Sequence, residues 1–248
     1  LIQGTQSLFG AKTKLKFGNL TLDAVVSQQK SESSSVTVQG GAQMDEFNFK
    51  ADQYDANRHF FISQYFYDNY NNAMSTLPII NSNIVITKIE VWRTNVGAAV
   101  TNNRNIVAFS DLGEAKPYGQ NPSIERPGAG ALPDQNLSNR LLDVVDVNSL
   151  RNINTISSYL QGMGFVSGQN YEKVESARKL SSNEYTFNPK LGFISLTTPL
   201  SADQVLAVAF RYQIVGDTAT YQVGEFSDEG VSDPNTLVVK LLKSSSLN

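Results

Sequence analysis

Between residues 9 and 27 apolar and polar side chains alternate at period two on both sides of Gly18-Asn19, and few folds accept that pattern other than an amphipathic β-hairpin. Phe9, Ala11, Leu15 and Phe17 alternate with Lys12, Lys14 and Lys16, and Leu20, Leu22, Ala24 and Val26 with Thr21, Asp23 and Ser27. Gly18-Asn19 accepts the positive φ of a two-residue turn. That loop sets Phe17 opposite Leu20, Leu15 opposite Leu22, Thr13 opposite Ala24 and Ala11 opposite Val26, with Lys14 across from Asp23 on the polar face.

Arms of this length match the roughly 9–11 residues that a tilted strand needs to cross a bilayer, and the turn is as short as the periplasmic turns of outer-membrane barrels. The same alternation also describes a soluble hairpin with one wet face. From 28 to 43 the apolar content falls away into Ser, Gln and Gly, which reads as a linker. The expected organisation is a barrel-type hairpin at 1–30, a linker at 31–43 and an inserted domain at 44–248. If the tight turn faces the periplasm, the inserted domain emerges outside the cell. The longest apolar run, 205–210, is far too short for a membrane helix, so any spanning segment has to be β. The chain opens at Leu1 with no basic-then-apolar leader, and the expectation is an internal piece of a longer protein.

Within 44–248 the period first changes after residue 55. Phe61, Ile62, Tyr65, Phe66, Tyr70 and Met74 recur at three and four residues, predicting a helix over 55–74 capped by Asp55 or Asn57. Its aromatic side chains suggest stacking of sugars or bases, with packing between two layers as the plainer reading. Strands are expected at 83–93, 106–110, 171–180, 184–187, 193–197, 205–214, 220–226 and 237–242, with a hairpin around Gly216-Asp217. A second helix is expected over 149–161, capped by Asn148 and stopped by Gly162, and 117–133 reads as a Gly/Pro-rich loop. The fold class is thus α+β, mostly β: a hairpin of a transmembrane barrel plus a mixed domain with antiparallel sheets and one or two helices.

Composition narrows the chemistry. Cysteine is absent, which removes disulfides, thiolate metal sites and thiol nucleophiles. A net charge of −3 argues against nucleic acid as a partner. There is no phosphate loop, no Gly-x-Ser-x-Gly elbow and no His-Glu-x-x-His. His59 is the sole histidine, so any serine triad or histidine metal site rests on it, and packing or capping is its expected role. The acidic pairs Asp143/Asp146, Asp111/Glu114 and Asp228/Glu229 offer carboxylates for glycoside hydrolysis or calcium, with surface turns as the plainer reading. No catalytic, cofactor or metal residue is assigned, and no enzyme activity is expected.

Several separated blocks resemble one family. These are 57–66 (NRHFFISQYF), 77–82 (LPIINS), 89–95 (IEVWRTN), 187–196 (FNPKLGFISL), 203–210 (DQVLAVAF) and 221–227 (YQVGEFS), with 8–10 and 17–20 similar to its barrel-strand segments. The chain resembles SprA/Sov, the outer-membrane translocon of the type IX secretion system tied to gliding motility in Bacteroidota. The resemblance implies a very large β-barrel passing folded cargo proteins, with a PorV-like barrel partner, a periplasmic plug protein, contact with the lipid bilayer, and no cofactor or reaction. The inserted domain would cap or gate the pore. The alternative is a cell-surface carbohydrate-binding or adhesin domain using Trp92 and the aromatic helix. The stretch 117–139 matches nothing in that family.

Overall fold

A computed structural model describes residues 7–17, 20–30, 55–97, 102–118, 124–126 and 135–245. The chain divides into two compact units, Leu1–Lys50 and Ala51–Asn248. In the first, β1 (Ser7–Phe17) and β2 (Leu20–Lys30) pair antiparallel with Phe17 opposite Leu20, Leu15 opposite Leu22 and Ala11 opposite Val26. That is the register set by the alternation, because a slip of one residue would put every apolar side chain on the wrong face. Lys14 and Asp23 are exposed, Nζ lying 3.9 Å from Oδ2, a surface pair worth about 0–1 kcal/mol. The turn at 18–19 and the linker expected at 31–43 lie outside the described residues.

The second unit is built on a closed mixed barrel of five strands. These are β4 (Ile84–Arg93), β5 (Asn103–Phe109), β6 (Tyr171–Lys179), β9 (Leu206–Ile214) and β11 (Leu237–Lys243). Around the ring the order is β9, β11, β5, β6, β4 and back to β9, with β10 (Thr220–Val223) continuing the edge of β9 beyond β11. The expectation of antiparallel sheets holds around this ring except between β5 and β11, which run parallel with Leu237 beside Ile106 and Val239 beside Ala108.

Alternation divides each stave between two faces. Inward lie Ile106, Ala108, Ala177, Ala207, Ala209, Leu237, Val239 and Trp92, a set rich in small residues because a five-stranded ring encloses little volume. Loop 224–236 seals this interior by inserting Phe226, which is fully buried. Arg104 holds the loop through the carbonyls of Ser227, Val231 and Asn235 at 3.3, 2.8 and 3.1 Å. Glu90 accepts from the Ser227 amide and hydroxyl at 3.0 and 2.9 Å. Outward lie larger residues, among them Val107, Phe109, Val208, Phe210 and Tyr212, covered by the helical layer.

That layer holds α1 (Gln64–Ala73), α2 (Leu141–Val144) and α3 (Ile156–Gly162). A second sheet, β3 (His59–Phe61), β8 (Phe193–Leu196) and β7 (Tyr185–Asn188), is antiparallel with β8 central. Two expectations are corrected here. The helix expected over 55–74 begins only at Gln64, since Asn57 sits at φ +57° and 59–61 pairs with β8, where Phe60 lies across from Ile194. Neither Asp55 nor Asn57 caps α1. The N-cap Ser63 is extended and makes no side-chain cap, and Glu114 accepts from the Gln64 amide instead, at 3.1 and 3.3 Å.

The helix expected over 149–161 is broken into a 3₁₀ turn, Val147–Leu150, and α3. Asp146, not Asn148, caps the turn by accepting from the Asn148 amide at 3.0 Å. Asn152 takes the Asn154 amide at 3.1 Å, a local bond that competes with helix continuation. Among the described residues no helix is long and apolar enough to cross a membrane.

Candidate functional site

The acidic pairs found in the sequence all have structural partners. Asp143 binds Arg126 at 2.7 Å, while Asp146 caps the 3₁₀ turn and accepts from the Ser149 hydroxyl at 2.9 Å. Asp228 and Glu229 receive Lys88 at 2.6 and 2.8 Å, and Glu229 also receives Arg211. Those two cations hold the Glu229 carboxyl down to about 2. Asp111 accepts from the Tyr118 amide at 2.6 Å. Among the described residues no group of three acidic or imidazole side chains is placed to hold a metal.

His59 sits in β3, not on a helix, and its neighbours resemble a hydrolytic triad. Its Nδ1 lies 2.8 Å from Ser195 Oγ on β8 and its Nε2 lies 3.5 Å from Asp55 Oδ2. Three facts argue for a tie between strands. Ser195 is the direct cross-strand partner of His59. The imidazole and the carboxylate are 55% and 47% exposed, so water solvates both. Asp55 is committed to Arg58 at 2.9 Å, a bond that lowers its pKa. Trp92, proposed as a sugar platform, is 1% exposed and belongs to the barrel interior, which removes it from any carbohydrate site.

Two neighbouring clefts share Phe61 and Tyr67 in their walls. The larger, about 1,060 Å³, is lined by Phe61, Ser63, Gln64, Tyr67, Tyr118 and Lys240 among others. At its floor the Lys240 ammonium meets Glu114 at 2.5 Å, both side chains almost wholly buried, and also donates to the Ser110 carbonyl at 2.9 Å. The Ser63 hydroxyl and the Gln64 side-chain oxygen are buried there without a partner. The smaller cleft, about 630 Å³, is lined by His59, Phe60, Phe61, Tyr67, Asp68, Tyr70, Asn71 and Phe193. Phe61 meets Tyr67, Tyr70 and Phe193 edge to face at 5.5, 5.4 and 6.3 Å. Tyr67 is 64% exposed.

The sequence reading had no signal for Lys240, Ser63 or Asn139. Asn139, in the stretch that matched nothing, is buried and donates to the Asp111 and Glu114 carbonyls at 2.6 and 2.9 Å, fixing the turn that carries Glu114. A lone lysine in the apolar run 237–242 was the one available hint that a buried carboxylate had to exist.

An apolar-rimmed cleft over a satisfied ion pair is equipped to bind. Residues 1–116 match a family model described as motility related/secretion protein, which suggests a motility- or secretion-related function. The model is that of SprA_N, and its match supports a SprA/Sov-related assignment for this segment of the chain. The match covers the hairpin, β3, α1, β4 and β5. No curated protein matches the chain.

Proposed function

We propose that the chain is a structural portion of a very large outer-membrane β-barrel translocon that exports folded cargo proteins by type IX secretion. The carrying observation is the family match, which begins at the hairpin. Supporting it, each hairpin strand has 11 residues, enough for a tilted crossing of the bilayer. In this reading β1 and β2 are staves facing lipid, and the second unit caps or gates the pore on the extracellular side. The partners are cargo, a PorV-like barrel and a periplasmic plug protein. The surface is low in charge and rich in neutral polar residues, so cargo slides past it without sticking.

No catalytic step belongs to this role, and labelling of Ser195 by a fluorophosphonate would overturn that part. The topology is tested in the parent protein with a single cysteine introduced at Ser33, the chain having no native thiol. Labelling of intact cells by a membrane-impermeant maleimide is the expected result. Labelling only after permeabilisation of the outer membrane would invert the hairpin and overturn the extracellular assignment.

A further inference from the structure

β3 is an edge strand, and its hydrogen-bond register determines which of its backbone groups face outward. The Ile62 amide donates to the Gly192 carbonyl at 3.0 Å, and the Arg58 carbonyl accepts from the Leu196 amide at 2.9 Å. In an antiparallel pair the bonded residues alternate, so Arg58, Phe60 and Ile62 bond towards β8. The N–H and C=O groups of His59 and Phe61 therefore point the other way, where among the described residues no strand of the sheet lies.

That edge opens onto the aromatic cleft. His59, Phe60 and Phe61 are consecutive and alternate between the two faces of the sheet, yet all three line the smaller cleft, which requires the cleft to run along the strand's outer edge. Phe61 and Tyr67 line both clefts, so the edge leads from the aromatic groove to the buried, unpartnered Ser63 hydroxyl and Gln64 side-chain oxygen. Asp68, exposed on the same rim, makes no ion pair among the described residues.

We propose that the open edge of β3 takes an extended peptide segment of a partner protein as an added strand, with alternate aromatic or aliphatic side chains in the Phe61–Tyr67–Tyr70–Phe193 groove and a flanking cation beside Asp68. Main-chain bonds to His59 and Phe61 supply the register, and the groove selects the side chains. A helix or a rigid globular surface would leave the outward amides and carbonyls unpaired and dry, which is why the occupant is an extended segment. The inference does not depend on the translocon reading. Its failure would leave that reading intact, and failure of the topology test would leave the edge as it is.

The test uses the purified full chain and a synthetic peptide alternating threonine with phenylalanine and valine, flanked by lysines. A second peptide of the same sequence is N-methylated on alternate residues, which keeps the side chains and removes the strand's donors. Saturable binding of the first is expected, with slowed hydrogen exchange at the His59 and Phe61 amides. Binding of the N-methylated peptide falls by about tenfold or more. Tyr67→Ala weakens binding several-fold, and His59→Pro, which deletes an outward donor and the imidazole while sparing the main-chain bonds to β8, weakens it by about tenfold. Ser195→Ala, which removes only the imidazole's partner, leaves binding unchanged. Absence of binding, or equal binding of the two peptides, overturns the proposal.

Discussion

Lys240 and Glu114 form an ion pair of 2.5 Å with side chains 3% and 2% exposed, joining the last stave of the barrel to the turn after β5. Neither charge has water to fall back on. Replacing Lys240 with Met strips a buried carboxylate of its countercharge, and the expected loss is about 3–5 kcal/mol. Adding Glu114→Gln to Lys240→Met removes the uncompensated negative charge and recovers part of the loss. Urea denaturation of the single and double variants checks this, and additive losses would show that the pair is not coupled.

Gly192 is the tightest point where α1 meets the second sheet. It sits at φ +62°, and a Cβ there would lie 2.1 Å from Phe66 Cγ. Gly192→Ala is expected to cost about 3 kcal/mol or more, since both the backbone and the ring have to shift. Gly162→Ala is the contrast. It lies in α3 with nothing within 4 Å of an added Cβ, and the change stabilises by about 0.4–1 kcal/mol. Thermal melts of the two variants should move in opposite directions.

Stability should fall in acid through Glu184. Arg178 grips its carboxylate with two bonds of 2.8 and 2.6 Å and holds its pKa at about 2, against 4.5 when free. A folded-state pKa below the unfolded one means that unfolding takes up a proton. The contribution is therefore complete above about 4.5 and disappears as the pH falls towards 2. Glu229 acts with the same sign. Arg178→Met should flatten the decline of the denaturation midpoint over that interval, and an unchanged slope would refute the assignment.

Phe226 closes the barrel beneath two cations, Lys88 Nζ 4.2 Å and Arg211 Cζ 5.0 Å from the ring centroid. Phe226→Ala should destabilise by about 3–5 kcal/mol through the cavity left among the alanines of the staves. Phe226→Leu keeps most of the volume and should cost far less. Comparable losses in the two variants would mean that the ring's cation contacts, not its volume, dominate.

The strands were legible because β-branched and aromatic residues announce themselves locally. Strict alternation at Leu206, Val208, Phe210 and Tyr212 gave β9, and the turn at 18–19 gave the hairpin's register. β3 was not legible, because the spacing of Phe61, Tyr65 and Phe66 suits a helix equally well and only pairing with β8, more than 130 residues away, decides for a strand. The clefts were hidden for the same reason. Lys240 and Glu114, His59 and Ser195 meet through tertiary packing, and no local spacing carries their partnership.

The parallel pairing of β5 with β11 sets the order of events as the chain is synthesised. Residues 103–109 are made early, yet one of their two partners is residues 237–243. Until that last stave leaves the ribosome, β5 and β9 each expose a raw sheet edge, and no amount of earlier folding can close the ring. The decisive step in folding the second unit consequently waits for residues 237–243, and a chain stalled or cut before residue 237 carries adhesive edges that call for a chaperone.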